Sequence, residues 1–197
     1  MAHEPDLREE SLEDEGPLDP AAEARRAAAL SLLRRYGDPI LRSAATPVDR
    51  FDVALRDQVA HMGAIMRDAL GVGLAAPQLG VSQRLLIYRV GPDAPLVALV
   101  NPQLEWTSSD EVEVLEEGCL SIPGVAVEVE RPVHVRVRAR DERGADRLVE
   151  ASGLEARVIQ HEVDHLDGVL ILDRATKEAR REALRALRDR EPERSAA

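Results

Sequence analysis

The spacing of apolar and polar residues predicts helices toward both ends of the chain and strands between them. Residues 53–70 place their apolar side chains mostly on one helical stripe, and Gly71 follows as a stop signal, so a packed helix is expected there. Between residues 83 and 151 the period changes to two, which is typical of strands. Five segments predict short, largely antiparallel strands: QRLLIYRV, LVALV, EVEVL, VAVEVE and VHVRVRARD.

A further helix is predicted after these strands. Ser152 and Glu155 have the spacing of a capping box, which starts the helix near Gly153, and Gly168 can end it. One face of this helix is expected to point into the protein because apolar residues and histidines share it. That face carries Leu154, Val158, His161 and His165.

The composition predicts one folded domain with charged ends. The chain has 197 residues, 44% of them apolar but only 2% aromatic, so Val, Leu, Ile and Ala must form the core. So few aromatic residues argue against base-stacking platforms, and a DNA partner is not expected. Residues 1–20 hold eight acidic residues and one arginine, which predicts a disordered extension before a domain at 21–173.

Cysteine and hydropathy bear on the cellular setting. Cys119 is the single cysteine, so no internal disulfide can form, and a reducing, cytoplasmic setting is the simplest interpretation. No apolar run approaches the roughly 18 residues of a membrane span, and the N-terminus lacks the order of a signal peptide. No membrane partner is therefore expected.

The segment QHEVDH predicts a metal site. His161 and His165 lie one helical turn apart, and two buried imidazoles need polar partners, which one metal ion supplies to both. A longer zinc-peptidase pattern fails because Ile171 stands where that pattern needs a third histidine. The third ligand is then Cys119, expected in a loop, or a downstream glutamate, Glu178 or Glu182.

The segment GVGLAAPQLG, residues 71–80, contains a loose G-x-G-x-x-A dinucleotide pattern. A nucleotide site is rejected because a helix precedes the segment and Pro77 hinders a following helix. The glycines would instead let a substrate approach the backbone, and Gln78 offers an amide donor; the alternative is a simple turn. His61 and His134 are predicted to have no functional role.

Taken together, GVGLAAPQLG, EGCLS and QHEVDH, with YGDPIL at residues 36–41, resemble the signature motifs of peptide deformylases over roughly residues 34–175. The resemblance implies an α+β fold, with small mainly antiparallel sheets around a central helix carrying the HExxH motif. It implies removal of the formyl group from N-terminal formyl-methionine of nascent polypeptides, releasing formate. It makes residues 21–173 the catalytic metallohydrolase domain.

The resemblance also implies roles for individual residues. Cys119, His161 and His165 would bind one divalent ion, for which the family favours Fe(II) and also accepts Zn(II). Metal-bound hydroxide would attack, with Glu162 as the acid-base catalyst. The remaining implied site residues are Gln78 and the Leu120 N–H for the oxyanion, Gly73 and Gly118 for the substrate backbone, and Val72 for the methionine pocket.

Two other functions and one further partner are compatible with the sequence. A zinc peptidase, or a non-catalytic metal-binding interaction domain, remains an alternative to the deformylase. Residues 174–197 form a basic segment, with seven basic and three acidic residues between positions 174 and 190. This segment predicts an amphipathic helix that either packs on its own domain or docks on ribosomal RNA through its arginines.

Overall fold

The computed structural model describes residues 19–91 and 93–190. In this part of the chain no helix is long and apolar enough to cross a membrane. The helices are α1 (Pro20–Ser31), α2 (Val53–Asp68), α3 (Gly153–Leu166), α4 (Ile171–Arg174) and α5 (Lys177–Arg190), with 3-10 turns at Pro39–Arg42 and Ala76–Leu79. The strands are β1 (Gly73–Ala75), β2 (Leu85–Tyr88), β3 (Val97–Thr107), β4 (Val112–Cys119), β5 (Ile122–Pro132), β6 (His134–Arg140) and β7 (Asp146–Ser152).

The strands form two antiparallel sheets. One sheet has five strands in the order β1-β2-β3-β6-β7, and the other is the β4-β5 hairpin. Each pairing within both sheets is antiparallel, which confirms the predicted α+β class with mainly antiparallel sheets. In β6, buried Val135 and Val137 alternate with exposed arginines, as the period of two predicts.

Helices α2 and α3 cover opposite faces of the five-stranded sheet. Leu85 and Ile87 of β2 pack into the apolar cluster formed with α2. Leu86 packs into the cluster formed with α3, beside Ile159. All four residues of β2 are therefore buried, which explains why its sequence is a continuous apolar run rather than an alternation.

The hairpin has its own small core, closed by the C-terminal helices. Ile122 and Val129 of β5 pack with Leu170, Leu172 and Ala183. Helix α5 packs against β5 and α4, so part of the basic segment that starts at residue 174 belongs to the folded domain.

Several predictions about the elements were wrong in detail. Strands β1 and β7 were not predicted, because a three-residue strand (β1) and a polar surface strand (β7) carry little periodic signal. Helix α1 was not predicted either. Residues 1–18 of the predicted extension lie outside the described residues. Of its remaining two residues, Asp19 caps α1 and Pro20 is the first residue of that helix.

The predicted helix ends were also only partly right. Gly168 ends α3 with a positive φ of 74°, as expected, but the capping box does not form. Ser152 Oγ lies 2.7 Å from His134 Nδ1, and Glu155 accepts a hydrogen bond from the Tyr88 hydroxyl at 2.9 Å. Both side chains therefore bond to the sheet rather than to the first turn of the helix.

Candidate metal centre and active-site cavity

Three candidate metal ligands from two elements meet in the interior. Cys119 is the last residue of β4, where the pairing with β5 shifts register, and it is not in a loop as predicted. His161 and His165 lie on α3. The thiol sulfur and the histidine nitrogens lie within 4.8 Å of one another, and the Cys119 sulfur is 3.2 Å from His165 Nε2. One ion with bonds of about 2.0–2.3 Å can engage all three after small side-chain adjustments.

The surroundings of these ligands fit a metal ion. Within residues 19–91 and 93–190, Oε2 of Glu162 and Nδ1 of His165 are buried without a hydrogen-bond partner. Glu162 is only 3% exposed, and such an isolated buried carboxylate is costly unless a cation or a ligand compensates it. Glu178 and Glu182, the alternative third ligands, are exposed on α5 and are not part of the cluster.

The electrostatics favour a thiolate beside a cation. Burial opposes ionisation of Cys119, but the charge of His165 and the hydrogen bond from His161 hold its pKa well below the ordinary value. Burial likewise opposes protonation of His161, yet bonds to Cys119 and Glu117 raise its pKa well above its usual range. The site therefore presents a metal-binding thiolate, and the positive charge on the imidazole can be replaced by that of a metal.

Glu117, which the sequence analysis did not identify, holds His161 in place. Its Oε2 lies 3.0 Å from His161 Nδ1, so the imidazole is left with Nε2 for a metal. Arg131 donates two hydrogen bonds to the same carboxylate at 2.7 and 2.9 Å, and Arg157 donates a third at 2.8 Å. Burial alone would raise the pKa of Glu117, but the bonds from Arg131 and His161 lower it to about 2.

The network continues along the inward side of α3 to Asp164. Arg131 also donates to Asp164 at 2.8 Å, and Arg174 binds the same carboxylate at 2.6 Å. These ion pairs connect β4, β5, α3 and α4; Glu117, Arg131 and Asp164 are buried and compensate one another, and Arg174 closes the network at the surface. A buried charge that lost its partner here would be strongly destabilising.

A signal for this network was present in the sequence. Arg131 continues the buried phase of β5, in register with Val125, Val127 and Val129, where a charge requires a partner. Likewise Arg157 and Asp164 share the inward side of α3 with His161. Which charges would meet could not be read from the pattern, because the partners lie on different elements.

Gln78 is oriented by its backbone neighbours. The Ala75 N–H donates to Gln78 Oε1 at 2.8 Å, so the amide nitrogen must face the other way. That nitrogen lies 3.3 Å from Ser121 Oγ and 3.9 Å from the Cys119 sulfur. A hydrogen-bond donor is therefore held beside the candidate ligands, as the sequence analysis expected.

The candidate site opens into a cavity of about 580 Å³. It brings together all the predicted residues except His165. Its lining includes Val72, Gly73, Gln78, Gly118, Cys119, Leu120, His161 and Glu162. Leu154, predicted to be buried, is instead 56% exposed at this cavity.

Two strand edges border the cavity. β1 is the terminal strand of its sheet, and β4 pairs only with β5, so each has one edge without a partner strand among the described residues. A Cβ at Gly73 would lie 2.4 Å from Glu162 Oε1, which explains why this position has no side chain. Gly118 is exposed and lines the cavity, and a Cβ there would meet only the Val125 carbonyl oxygen, at 4.0 Å, so the backbone is accessible from the cavity.

Comparisons with known proteins agree on one family. The family model described as Polypeptide deformylase matches residues 31–181. The peptide deformylase of Parafrankia sp. is 47% identical over 159 residues, which cover 81% of this chain and 86% of the relative. That of Thermotoga neapolitana is 49% identical over 153 residues, covering 78% of this chain and 91% of the relative.

Solved structures show the same similarity. The peptide deformylase of Synechococcus elongatus in complex with actinonin is 44% identical with a TM-score of 0.75, covering 78% of this chain and 85% of that one. The peptide deformylase of Legionella pneumophila is 36% identical with a TM-score of 0.78, covering 84% and 97% respectively. Both sequence and fold are therefore shared over most of the described residues.

Proposed function

The chain belongs to the peptide deformylase family, metal-dependent hydrolases that remove the formyl group from the N-terminus of nascent polypeptides, and we propose that the Cys119–His161–His165 cavity carries out this reaction on formyl-methionine. The observation that carries the proposal is the meeting of these three ligands within 4.8 Å beside the buried carboxylate of Glu162, whose Oε2 has no hydrogen-bond partner among the described residues. A catalytic hydrolase needs this combination of an incomplete ligand set and an adjacent proton carrier.

The three side chains would hold one divalent ion through the thiolate and two imidazole nitrogens. When bound, such an ion supplies Lewis-acid chemistry, because it lowers the pKa of water and polarises a carbonyl oxygen. We propose Fe(II) as the bound ion because the family favours it; Zn(II) can bind to the same three side chains. Metal analysis of anaerobically purified protein, with activity measured after reloading each ion, distinguishes the two.

Glu162 would move the proton. Burial raises the pKa of its carboxyl, which brings the group closer to neutrality and makes both proton uptake and proton release possible. In the proposed reaction Glu162 takes a proton from the water that attacks the formyl carbon. It then delivers that proton to the leaving amine, so the C–N bond breaks and formate departs.

Gln78 and the backbone N–H of Leu120 would stabilise the oxyanion. The Gln78 amide is pre-oriented by Ala75, so it need not reorganise as negative charge develops. The Leu120 carbonyl accepts a hydrogen bond from Arg35 at 2.8 Å, which restrains the turn after Cys119. Donors restrained in this way favour the transition state over the planar formamide.

The substrate backbone would lie between the two free strand edges. Gly73 of β1 and Gly118 of β4 both line the cavity, and an extended peptide can add to such an edge as a further strand. Val72, with Leu154 and Val158 of α3, supplies an apolar wall for the methionine side chain. Two unencumbered edges and one apolar pocket suit a peptide whose first side chain is methionine.

A peptide assay tests the proposal. The enzyme, reloaded with Fe(II), is incubated with formyl-Met-Ala-Ser and, separately, with Met-Ala-Ser. Loss of the formyl group alone, with formate released and the unformylated peptide intact, supports deformylation. Cleavage of internal bonds in either peptide would indicate a zinc peptidase instead, and no turnover with metal bound would indicate a binding domain.

The ribosome is the partner that we propose for α5. Several arginines on this helix are exposed, including Arg181, Arg185 and Arg188, and no ion pair engages them within the described residues. RNA phosphates attract such arginines, and nascent chains leave the ribosome where a deformylase meets its substrate. This placement would make the cytoplasm the working compartment.

A further inference from the structure

Helix α1 borders the active-site cavity although it lies almost wholly outside the region that the family model matches, residues 31–181. The helix is fixed in the fold, because Ala29 is buried and Leu30 packs against the same core cluster as α2. Asp19 caps its first turn. Its Arg26 and Leu30 line the cavity, so the wall that they form is a feature of this chain's N-terminal segment.

The cavity that α1 borders has further apolar lining residues. Leu70, which is 59% exposed, and Leu120 line the cavity together with Leu30. Leu70 also adopts a positive φ of 58°, a conformation that costs free energy for a residue with a side chain. A strained, exposed leucine beside a substrate site suggests that the side chain is held out for a ligand.

Arg26 places an uncompensated positive charge on this wall. It is exposed, and no ion pair or hydrogen bond engages its guanidinium among the described residues. The other arginine of the cavity, Arg157, is buried and bonded to Glu117. A peptide in the cavity would therefore meet one free guanidinium at the wall that α1 contributes, whereas the exposed carboxylate of the lining, Glu116, lies on β4.

This charge does not suit the methionine pocket. The apolar residues assigned to methionine, Leu154 and Val158, come from α3, whereas Arg26 comes from α1, which packs against α2. An exposed guanidinium would also gain little from a thioether. What it recognises well is a carboxylate, to which it can donate two hydrogen bonds at once.

We propose that Arg26, with Leu30 and Leu70, forms a subsite that favours peptides carrying an acidic side chain at the second or third residue, after the formyl-methionine. The inference rests on the proposed deformylase function, since the subsite lies along the same cavity. Arg26 is a substrate-binding residue in this proposal and takes no part in proton transfer. Because it meets substrate and transition state alike, it acts on KM rather than on kcat.

Two pairs of amidated formyl peptides test the subsite. One pair is formyl-Met-Ala-Asp-amide and formyl-Met-Ala-Asn-amide, and the other carries Asp or Asn at the second position. Asp and Asn have nearly the same shape, so the comparison isolates the charge, and the amide removes the terminal carboxylate. We expect kcat/KM for the Asp peptide to exceed that for the Asn peptide by about two- to five-fold in at least one pair, through KM.

Variants assign the preference to one side chain. Arg26→Gln should abolish it, and 1 M salt should weaken it. Arg26→Lys should retain only part of it, because an ammonium keeps the charge but cannot donate the paired hydrogen bonds of a guanidinium. Arg25→Gln is the matched control, because Arg25 is the adjacent exposed arginine of α1 but does not line the cavity. That variant should keep the full preference.

The outcomes separate this inference from the function on which it rests. If all four peptides are deformylated but neither pair shows a preference, or if Arg26→Gln keeps the preference, the subsite is wrong and the deformylase function stands. If none of the peptides is deformylated by the metal-loaded wild type, the proposed function itself fails.

Discussion

Glu117 Oε2 lies 3.0 Å from Nδ1 of His161, and this contact links the candidate metal centre to a buried network of charges. It determines which imidazole nitrogen faces the cavity, because the other nitrogen is occupied by the carboxylate. The network in turn holds Glu117 through Arg131 and Arg157. The orientation of a proposed metal ligand therefore depends on residues from β4, β5 and α3 together.

Replacement of Glu117 by glutamine should weaken both metal binding and folding. The amide cannot compensate Arg131 and Arg157, so we expect a loss of about 3–5 kcal/mol in unfolding free energy. Metal affinity should fall by about 10- to 100-fold because His161 loses its orienting partner. Competition with a chelator and urea unfolding measure the two effects.

Glu113→Gln is the matched control for Glu117→Gln, since the Glu113 side chain is exposed on the same strand. It should leave metal affinity unchanged. Wild-type metal affinity in Glu117→Gln would show that this contact does not orient His161.

Replacement of Cys119 by alanine should remove the bound metal and abolish turnover. Two imidazoles alone make an incomplete site, and Glu178 and Glu182 are exposed on α5 and lie outside the ligand cluster. Metal content by mass spectrometry and formyl-peptide turnover check this together. A variant that retains one metal ion per chain would exclude Cys119 from the ligand set.

Replacement of Glu162 by glutamine should separate metal binding from catalysis. The amide keeps the shape of the side chain but cannot carry a proton, so we expect metal to remain and kcat to fall by about 100-fold or more. Parallel metal analysis and kinetics are required. If metal and activity decline in the same proportion, Glu162 acts structurally instead.

Two N-terminal deletions should differ in their effect. Removing residues 1–18 should leave the melting temperature and turnover nearly unchanged, since seven acidic residues and few apolar ones offer little surface to bury. Removing residues 1–31 should lower the free energy of unfolding by about 2 kcal/mol or more, because Ala29 and Leu30 are lost from the core. Thermal and urea unfolding compare the two, and equal stability would mean that α1 contributes nothing.

Neutralising the exposed arginines of α5 tests ribosome docking without opening the hairpin core. Truncation at residue 173 would remove Ala183, Leu184 and Leu187 from that core, so substitutions are the sharper probe. The triple variant Arg181→Gln, Arg185→Gln, Arg188→Gln should keep short-peptide turnover but co-sediment less with ribosomes. Wild-type ribosome binding that weakens with added salt supports docking. If the variant binds ribosomes as well as the wild type does, α5 has only a structural role.

Local spacing determined much of this protein from the sequence alone. The alternation in β6 and the one-turn interval between His161 and His165 are properties of a few neighbouring residues, and both were predicted. The motifs placed Gln78 and Cys119 near those histidines by resemblance. Local spacing did not reveal β1, since three residues cannot display a period.

Contacts between distant segments were decided only by the tertiary structure. Cys119 contacts His165 although 46 residues separate them along the sequence, and Arg157 bonds to Glu117 at a separation of 40. The sequence shows that Arg131 lies on the same face of its strand as the apolar valines and therefore requires a partner. Which residue becomes that partner depends on how β4, β5 and α3 pack. Likewise no periodicity could place Arg26 at the cavity, because a helix's position relative to a distant site arises from packing and not from its own pattern.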